Sequence, residues 1–343
     1  MQINAIGLYN SKTAINNTNS HVERHSKTKT SDLSFESRKE FMRLIPSSMP
    51  DSLEKNISKR LGIEPSKTIV KKFANGETYI NILDDMRNKD VFIMQTSSKA
   101  INDNLMETYL KADASRRMGA NKVVAIMPNF PYARQERKVE HGEPISARLN
   151  MALLHSSGVD EVITTDIHAP AMQGFARQMK MTELSSLRVM SDYLKSKELE
   201  PKNLVVVSPD LGGVKRADSL AKSLNCEKAI IYKNRTGHNQ AVAETLLGDV
   251  KDKTCIIYDD IIDTAGTITQ AAEMLKRNGA DKIYICASHG LFNGPAIERL
   301  EKAPIEEVIV TNSERMPETN GYNKIKQVDI SEDIVGAMLD ISG

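Results

Sequence analysis

From about residue 41, short apolar runs alternate with longer amphipathic stretches, and this alternation constrains the fold more than any other feature. The apolar runs predict β-strands at Val91–Gln95, Val123–Met127, Glu161–Thr165, Leu204–Val207, Cys255–Tyr258, Ile283–Ala287 and Val308–Thr311. Between them, Asn104–Met118 and Thr267–Asn278 have the apolar spacing of helices. Strands and helices in alternation build parallel sheets covered by helices. The chain is therefore predicted to be an α/β protein.

The pattern of the first half recurs in the second. Arg116–Ile126 closely resembles Lys276–Cys286, and each copy has the pattern of a helix end, a glycine C-cap and a buried strand. Two similarly folded halves account for the likeness, and a chain of 343 residues suits two domains. We predict an N-terminal domain over residues 41–186 and a C-terminal domain over residues 187–343, whose last residues are expected to pack on the first domain.

Residues 1–40 have a different composition. They are rich in Ser, Thr and Asn and show no sustained periodicity, which is typical of a flexible extension. Lys12 is the only charged residue among the first 20, whereas a mitochondrial leader is rich in Arg. We therefore predict a flexible extension that is not a leader.

Overall composition excludes several classes of function. The 46 basic residues balance 45 acidic ones, which argues against a dedicated nucleic-acid or membrane-surface protein. No apolar run approaches the roughly 18 residues of a membrane span. Cys226, Cys255 and Cys286 lack metal-ligand spacing and are expected to be inert thiols. These features predict a cytoplasmic protein with neither a nucleic-acid partner nor a membrane partner.

The most informative segment is Cys255–Ile268. An apolar strand is followed by Asp259 and Asp260, then by a short loop, and a helix follows with Thr267 as its expected N-cap. Open α/β sheets bind ligands at this end of a strand. Backbone N–H groups and Thr hydroxyls at a helix N-terminus can hold a phosphate, and the two carboxylates can accept hydrogen bonds from sugar hydroxyls.

This segment resembles the phosphoribosyl pyrophosphate motif that phosphoribosyltransferases share with ribose-phosphate pyrophosphokinases. The resemblance implies phosphoribosyltransferase-like domains and a binding site for ribose 5-phosphate. The implied contacts come from one stretch of chain and one more distant acid, namely Asp259, Asp260, Asp263, Thr264, Ala265, Gly266 and Thr267, with Asp210. The motif alone does not separate the enzyme that makes the metabolite from those that use it.

Two further segments resemble the ATP-binding loops of the pyrophosphokinase family. The first, Lys72–Glu77, is similar to the family's adenine-side loop, in which Phe73 would stack and its neighbours would make polar contacts. The second, Pro131–Lys138, places three cations within five residues after a predicted strand, which suits a polyphosphate. The implied ATP-binding residues are Phe73, Asn75, Gly76, Glu77, Arg134 and Gln135.

Metal and catalytic groups are implied by resemblance as well. Asp166–Ala169 looks like the family's metal loop, and Val207–Arg216 resembles the segment that carries the acid of the second domain. His168 and Asp210 would then hold Mg²⁺. Tyr232–Arg235 resembles the family's mobile catalytic loop, with Lys233 and Arg235 as its basic residues.

The resemblance spans about residues 41 to 335, and it implies ATP and ribose 5-phosphate as substrates. It also implies a homo-oligomer built from dimers, up to a hexamer, with ATP sites across subunit contacts. The chain departs from the family at Glu136, at Arg177, which argues against a second cation site, and in Val139–Glu143, which lacks a usual Arg. That last departure and the short C-terminus predict weak allosteric control by ADP and phosphate.

The sequence leaves three alternatives open. A phosphoribosyltransferase is disfavoured by the two ATP-type segments and by the duplicated architecture. A catalytically silent associate of the synthetase is disfavoured because Lys233, Arg235, Asp259 and Asp263 are all present. A nucleotide-binding regulator would bind ATP without releasing AMP.

Overall fold

The computed structural model describes residues 35–95, 100–234, 243–319 and 321–343. The described strands of the first half are β1 (Met42–Ile45), β2 (Thr68–Lys72), β3 (Thr78–Ile82), β4 (Asp90–Met94), β5 (Lys122–Ile126), β6 (Glu161–Thr165) and β7 (Lys180–Leu184). Its helices are α1 (Phe35–Phe41), α2 (Ser52–Leu61), α3 (Ile101–Arg117) and α4 (Ser146–Ser156), with a short 3₁₀ turn at Pro170–Phe175.

Within these ranges, the first half forms a parallel sheet of order β1-β4-β5-β6-β7. Strands β4 and β6 are buried along their whole length, as expected for strands covered by helices on both faces. β2 and β3 stand apart as an antiparallel hairpin. This hairpin carries Phe73–Glu77 in its turn, with Gly76 at φ 90°, a conformation that glycine adopts readily.

The second half uses a larger sheet. Its described strands are β8 (Leu204–Ser208), β9 (Glu227–Asn234), β10 (Ala243–Leu247), β11 (Thr254–Ile262), β12 (Lys282–Gly290), β13 (Glu307–Thr311) and β14 (Ile325–Val328). The accompanying helices are α5 (Leu187–Lys195), α6 (Val214–Leu224), α7 (Gly266–Arg277), α8 (Ala296–Lys302) and α9 (Ser331–Ile341), with a 3₁₀ turn at Pro201–Asn203.

In the described residues this sheet has the order β10-β9-β8-β11-β12-β13-β14 and is parallel except for the β9–β10 pair. The prediction of an α/β protein with two mostly parallel sheets flanked by helices is confirmed. Both copies of the sequence repeat run from a helix through a positive-φ glycine, Gly119 or Gly279, into a central strand.

The last helix joins the two halves. Ile334, Val335 and Met338 of α9 are buried in one cluster with Leu44 of β1 and Leu53 of α2. The C-terminal residues thus complete the apolar core beside the N-terminal sheet. By contrast, α5 follows β7 directly and packs into the core of the second half through Met190 and Leu194.

One boundary differs from expectation. Residues 35–41 form helix α1, although they overlap the extension predicted over residues 1–40. Arg38 of this helix donates to the carbonyl of Leu339 at 3.3 Å, so a tertiary contact accompanies the helix. The remainder of the predicted extension lies outside the described residues.

Candidate active site

The phosphate loop follows β11, but its local structure differs from the prediction. β11 continues to Ile262, so Asp259 and Asp260 lie within the strand and not after it. The extension arises because β11 pairs with β12 as far as Ile262 and Gly290. The predicted strand ended before the carboxylates because a polar pair usually marks the end of a strand. Here the hydrogen bonding of β11 to β12 keeps both aspartates in the strand despite their polarity.

Helix α7 begins at Gly266, and its N-cap is Ala265, at φ 60°. The prediction of Thr267 as the N-cap is therefore wrong, because Thr267 already lies in the first helical turn. At Ala265 the backbone is left-handed, and this conformation turns the chain into α7. No side chain caps the helix there. The first N–H groups of α7 lack intrahelical acceptors, and such groups can hold an anion. Phosphate binding by Asp263–Thr267 stays a prediction.

The pKa values of the two carboxyl groups of β11 are shifted in opposite directions. Burial and the adjacent Asp260 raise the pKa of Asp259 above its usual range. Burial would also raise the pKa of Asp260, but the hydrogen bond from His168 and the charge of Arg216 hold it well below that range. Arg216, from α6, lies 3.6 Å from Asp259 and 3.5 Å from Asp260.

His168 lies at this pair although it follows β6 of the other sheet. Its Nδ1 is 2.6 Å from Oδ2 of Asp260, and that hydrogen bond raises the pKa of His168. A carboxylate on one ring nitrogen fixes the orientation of the imidazole and leaves the other nitrogen for a ligand. The contact brings the predicted metal loop against the predicted sugar site.

A second contact joins the two halves at Arg134. Its Nη2 donates to Oδ2 of Asp263 at 2.7 Å, and Asn293 donates to Oδ1 of the same carboxylate at 2.8 Å. Burial would raise the pKa of Asp263, but these two donors lower it. The loop predicted to bind polyphosphate thus touches the loop predicted to bind ribose 5-phosphate.

Further hydrogen bonds hold the carboxyl ends of the two sheets together. Ser288 of β12 donates to Oδ2 of Asp166 at 2.6 Å, and Ser186 donates its backbone N–H to the same atom at 3.0 Å. Nε2 of the buried His289 lies 3.0 Å from the carbonyl of Thr165. Asp166 has a positive φ of 39°, a strained conformation for a non-glycine residue. The hydrogen bonds to its carboxylate hold Asp166 in this conformation, two residues before His168.

The loop after β5 is braced at Gln135. Its backbone carbonyl accepts from Ala147 at 3.2 Å, and its Oε1 accepts from the Ser146 hydroxyl at 2.7 Å. The start of α4 therefore fixes the segment that carries Arg134.

The residues of the predicted adenine-side loop lie in the turn between β2 and β3. In the hairpin turn, Glu77 donates its N–H to Oδ1 of Asn75 at 3.1 Å, and the exposed Phe73 ring packs edge-on against Tyr79 at 5.9 Å. Within the described ranges, no hydrogen bond or ion pair links this turn to Arg134 or Asp263. Both predicted ATP segments instead reach the start of α3, where Lys72 pairs with Asp103 at 2.7 Å and Tyr132 donates to Asn102 at 2.5 Å.

Asp210 and His168 were predicted as ligands of one cation. Oδ1 of the exposed Asp210 accepts from the N–H of Gly213 at 2.9 Å, and within the described residues no hydrogen bond joins Asp210 to His168. Over the described ranges, no group of three or more His, Cys, Asp or Glu side chains forms a ready-made metal site. Mg²⁺ usually needs only one or two protein ligands when substrate phosphates supply the rest, so a metal role for His168 and Asp210 stays a prediction.

The predicted catalytic pair is only partly visible. Lys233 lies in β9 one residue before its end, but its side chain is outside the described part of the chain, as is the whole of Arg235. Their catalytic role stays a prediction.

Sequence reasoning missed three residues at this site. Arg216, Asn293 and Arg299 contact the carboxylate pair or the phosphate loop. Arg216 was visible as a cation near the start of α6. The Asn-Gly pair at residues 293 and 294 signalled only a turn. No local pattern marked Arg299, because its contact depends on how α8 packs beside α7.

No helix among the described residues has the length and apolar character to cross a membrane. Comparison with known families matches residues 42–158 to the N-terminal domain of ribose phosphate pyrophosphokinase. Residues 235–342 match the phosphoribosyl synthetase-associated domain.

Individual relatives agree with these matches. The chain is 40% identical to a ribose-phosphate pyrophosphokinase of Fusobacterium nucleatum, over 83% of this chain and 90% of the relative. It is 44% identical to that of Bacillus caldolyticus, over 81% and 87%. The crystal structure of phosphoribosylpyrophosphate synthetase from Mycobacterium smegmatis superposes with a TM-score of 0.82 at 33% identity, covering 88% of this chain and 98% of that one. The chain belongs to the ribose-phosphate pyrophosphokinase family.

Proposed function

We propose that this chain is a ribose-phosphate diphosphokinase, an enzyme that transfers the pyrophosphoryl group of ATP to ribose 5-phosphate. The products are phosphoribosyl pyrophosphate and AMP. One observation carries this function beyond the family match. Arg134, in the loop with a polyphosphate-binding composition, lies 2.7 Å from Asp263 in the sugar-phosphate loop. A site that joins these two loops suits a reaction between a nucleotide and a sugar phosphate.

The reaction forms one bond and breaks another at the β-phosphorus of ATP. The anomeric hydroxyl oxygen of ribose 5-phosphate attacks that phosphorus, and the bond to the oxygen shared with the α-phosphate breaks. AMP leaves with the electron pair, and the proton of the hydroxyl is released to water. Such transfers need positioning and charge neutralisation more than covalent catalysis by the protein.

Each half of the site has its own task in this proposal. Asp263–Thr267 would hold the 5-phosphate at the start of α7, and Asp259 and Asp260 would accept hydrogen bonds from the ribose hydroxyls. Arg134 would leave Asp263 to bind the ATP phosphates. Lys233 and Arg235 would donate to the charge that develops on the transferred group.

We assign Mg²⁺ to the ATP phosphates, with His168 and Asp210 as its nearest protein groups. The bound cation would neutralise phosphate charge and orient the chain of phosphates. The chain's own contribution is the orientation of His168, whose Nδ1 is fixed by Asp260 at 2.6 Å. That contact directs Nε2 away from Asp260.

The hairpin turn at Phe73–Glu77 suits a site shared between subunits. Phe73 is 54% exposed, and its ring packs edge-on against Tyr79 of the same hairpin. We propose that this turn supplies the adenine contacts of a neighbouring copy in a dimer-based homo-oligomer. We also place the enzyme in the cytoplasm, because all three cysteines are unpaired thiols.

The decisive experiment measures AMP and phosphoribosyl pyrophosphate formed from ATP, with and without ribose 5-phosphate. Both products should appear together, and only when the sugar phosphate is present. Asp259→Ala should abolish product formation while ATP binding persists. AMP release independent of ribose 5-phosphate would contradict the proposal. Consumption of phosphoribosyl pyrophosphate with a nucleobase, but no synthesis, would support a phosphoribosyltransferase instead.

A further inference from the structure

We propose that Arg299 is a positioning residue for the phosphate loop. The inference rests on the proposed function, because it concerns the loop that would hold the 5-phosphate. Arg299 lies in α8, outside every segment that the sequence singled out. Its Nη1 donates to the carbonyl oxygen of Thr264 at 2.9 Å.

The direction of the Thr264 carbonyl matters for anion binding. A carbonyl oxygen that pointed toward the phosphate would repel it, whereas N–H groups attract it. Arg299 holds this oxygen on the side of α8. With Ala265 in the left-handed conformation at φ 60°, the chain then turns directly into α7. The backbone N–H groups of Ala265 and Gly266 thereby remain available to an anion.

Arg299 also packs on the loop at Gly266. A Cβ added to Gly266 would lie 3.1 Å from Nη1 of Arg299 and 3.9 Å from Oγ1 of Thr264. Gly266 does not have a positive φ, so its backbone would accept alanine. Alanine at this position would therefore require the guanidinium to shift by a few tenths of an ångström, which would disturb its bond to Thr264.

The charge of Arg299 is not neutralised by an ion pair in the described part of the chain. Its neighbour Glu298 pairs with Lys302 at 2.6 Å, and no carboxylate lies within ion-pair distance of Arg299. An arginine that stabilises only the fold commonly pairs with an acid. Here the unpaired guanidinium adjoins a loop whose expected ligand is a dianion.

The segment that leads into α8 also contacts the phosphate loop, at the residue before Thr264. Asn293 donates its backbone N–H to the Asp263 carbonyl at 2.9 Å and its side-chain amide to the Asp263 carboxylate at 2.8 Å. Residues 293–299 therefore brace Asp263 and Thr264 together. The loop would approach its phosphate-binding geometry before the ligand arrives, which lowers the ordering cost of binding.

The test compares Arg299→Ala with Arg277→Ala, which removes an exposed arginine at the far end of α7 that pairs with Glu273. Arg299→Ala should raise both the dissociation constant and the KM of ribose 5-phosphate by about 10- to 100-fold, the range for loss of a charge-assisted hydrogen bond. The kcat and the KM of ATP should each change by less than about threefold. Arg299→Lys should lie between the two, and added guanidinium chloride should restore part of the affinity of Arg299→Ala. Arg277→Ala should match the wild type.

A double-mutant cycle with Gly266→Ala isolates the contact. Gly266→Ala should weaken ribose 5-phosphate binding in the wild type, but much less in Arg299→Ala, where the guanidinium is gone. Additive effects, or a loss of kcat with unchanged ribose 5-phosphate affinity, would overturn the proposal. Direct binding of ribose 5-phosphate is measured without turnover, so an inactive wild type would refute the proposed function while leaving this inference testable.

Discussion

The guanidinium of Arg134 donates to the carboxylate of Asp263 at 2.7 Å and so links the loops that follow β5 and β11. The arginine side chain is 51% exposed and the aspartate 27%. The pair is therefore accessible to competing phosphates. ATP phosphates at Arg134 would therefore compete with Asp263 for this guanidinium.

This relationship predicts opposite effects on ATP binding at its two ends. Arg134→Ala should raise the KM of ATP by about 10- to 150-fold, because a charge-assisted hydrogen bond contributes about 1.5–3 kcal/mol. Arg117→Ala, an exposed arginine paired only with Asp113, serves as the control. An unchanged KM of ATP in Arg134→Ala would remove this residue from the ATP site.

Asp263→Ala removes the competitor of ATP for Arg134. ATP should bind up to about fivefold more tightly, since exposed ion pairs are worth about 0.2–1 kcal/mol, while ribose 5-phosphate should bind less tightly. Calorimetric titration of each ligand separately measures both changes. Weaker binding of both ligands would mean that Asp263 stabilises the loop and does not compete with ATP.

Asp259 predicts a dependence of stability on pH. Burial and Asp260 raise its pKa from 3.8 to about 7, so the folded chain retains a proton that the unfolded chain has already lost. The free energy of unfolding should therefore fall as the pH rises toward 7. The hydrogen bond to Asp260 raises the pKa of His168 above 6.5. The free energy of unfolding should therefore fall further as the pH rises through the pKa of His168 in the folded chain.

Asp259→Asn removes one titration and separates these contributions. The variant should lose less stability than the wild type between about pH 4 and pH 7, the window between the unfolded and folded pKa values of Asp259. Urea unfolding midpoints at both pH values provide the measurement. Parallel changes in the two proteins would show that Asp259 ionises normally in the folded state.

Lys233 is predicted to act on the transition state. Lys233→Ala should lower kcat at least about a hundredfold, the cost of removing one oxyanion donor, with little change in the KM of ribose 5-phosphate. Lys228→Ala, in the same strand and paired with Asp218, is the matched control. A near-normal kcat in Lys233→Ala would exclude a catalytic role for this residue.

Inhibition by ADP is expected to be competitive with ATP. Val139 and Glu140 donate their N–H groups to Oε2 of Glu143 at 2.6 and 3.0 Å. The Glu143 carboxylate thus occupies donors that a second nucleotide phosphate would need, and it would repel that phosphate. ADP inhibition curves at several ATP concentrations should converge at saturating ATP. Inhibition that persists there would reveal a separate regulatory site.

Local patterns in the sequence predicted much of the fold. Apolar runs such as Val123–Met127 and Glu161–Thr165 are central strands, because a strand covered on both faces must be apolar along its length. The glycines before β5 and β12 directly follow the helix C-caps Met118 and Asn278, and their positive φ needs no tertiary partner. The strand end at Tyr258 was misplaced, because pairing with β12 carries the polar Asp259 and Asp260 inside the sheet.

The sequence by itself determined the two parallel sheets and the loop chemistry at their carboxyl ends, because helix and strand periodicity and turn residues act over a few neighbours. Only the tertiary structure decided which loops meet. His168 and Asp260 lie 92 positions apart, Arg134 and Asp263 lie 129 apart, and both pairs form where the two sheets face each other. Arg299 touches Thr264 only because α8 packs beside α7. Such contacts depend on the long-range burial of apolar surface, including that of α9 on the first half, and no local pattern records it.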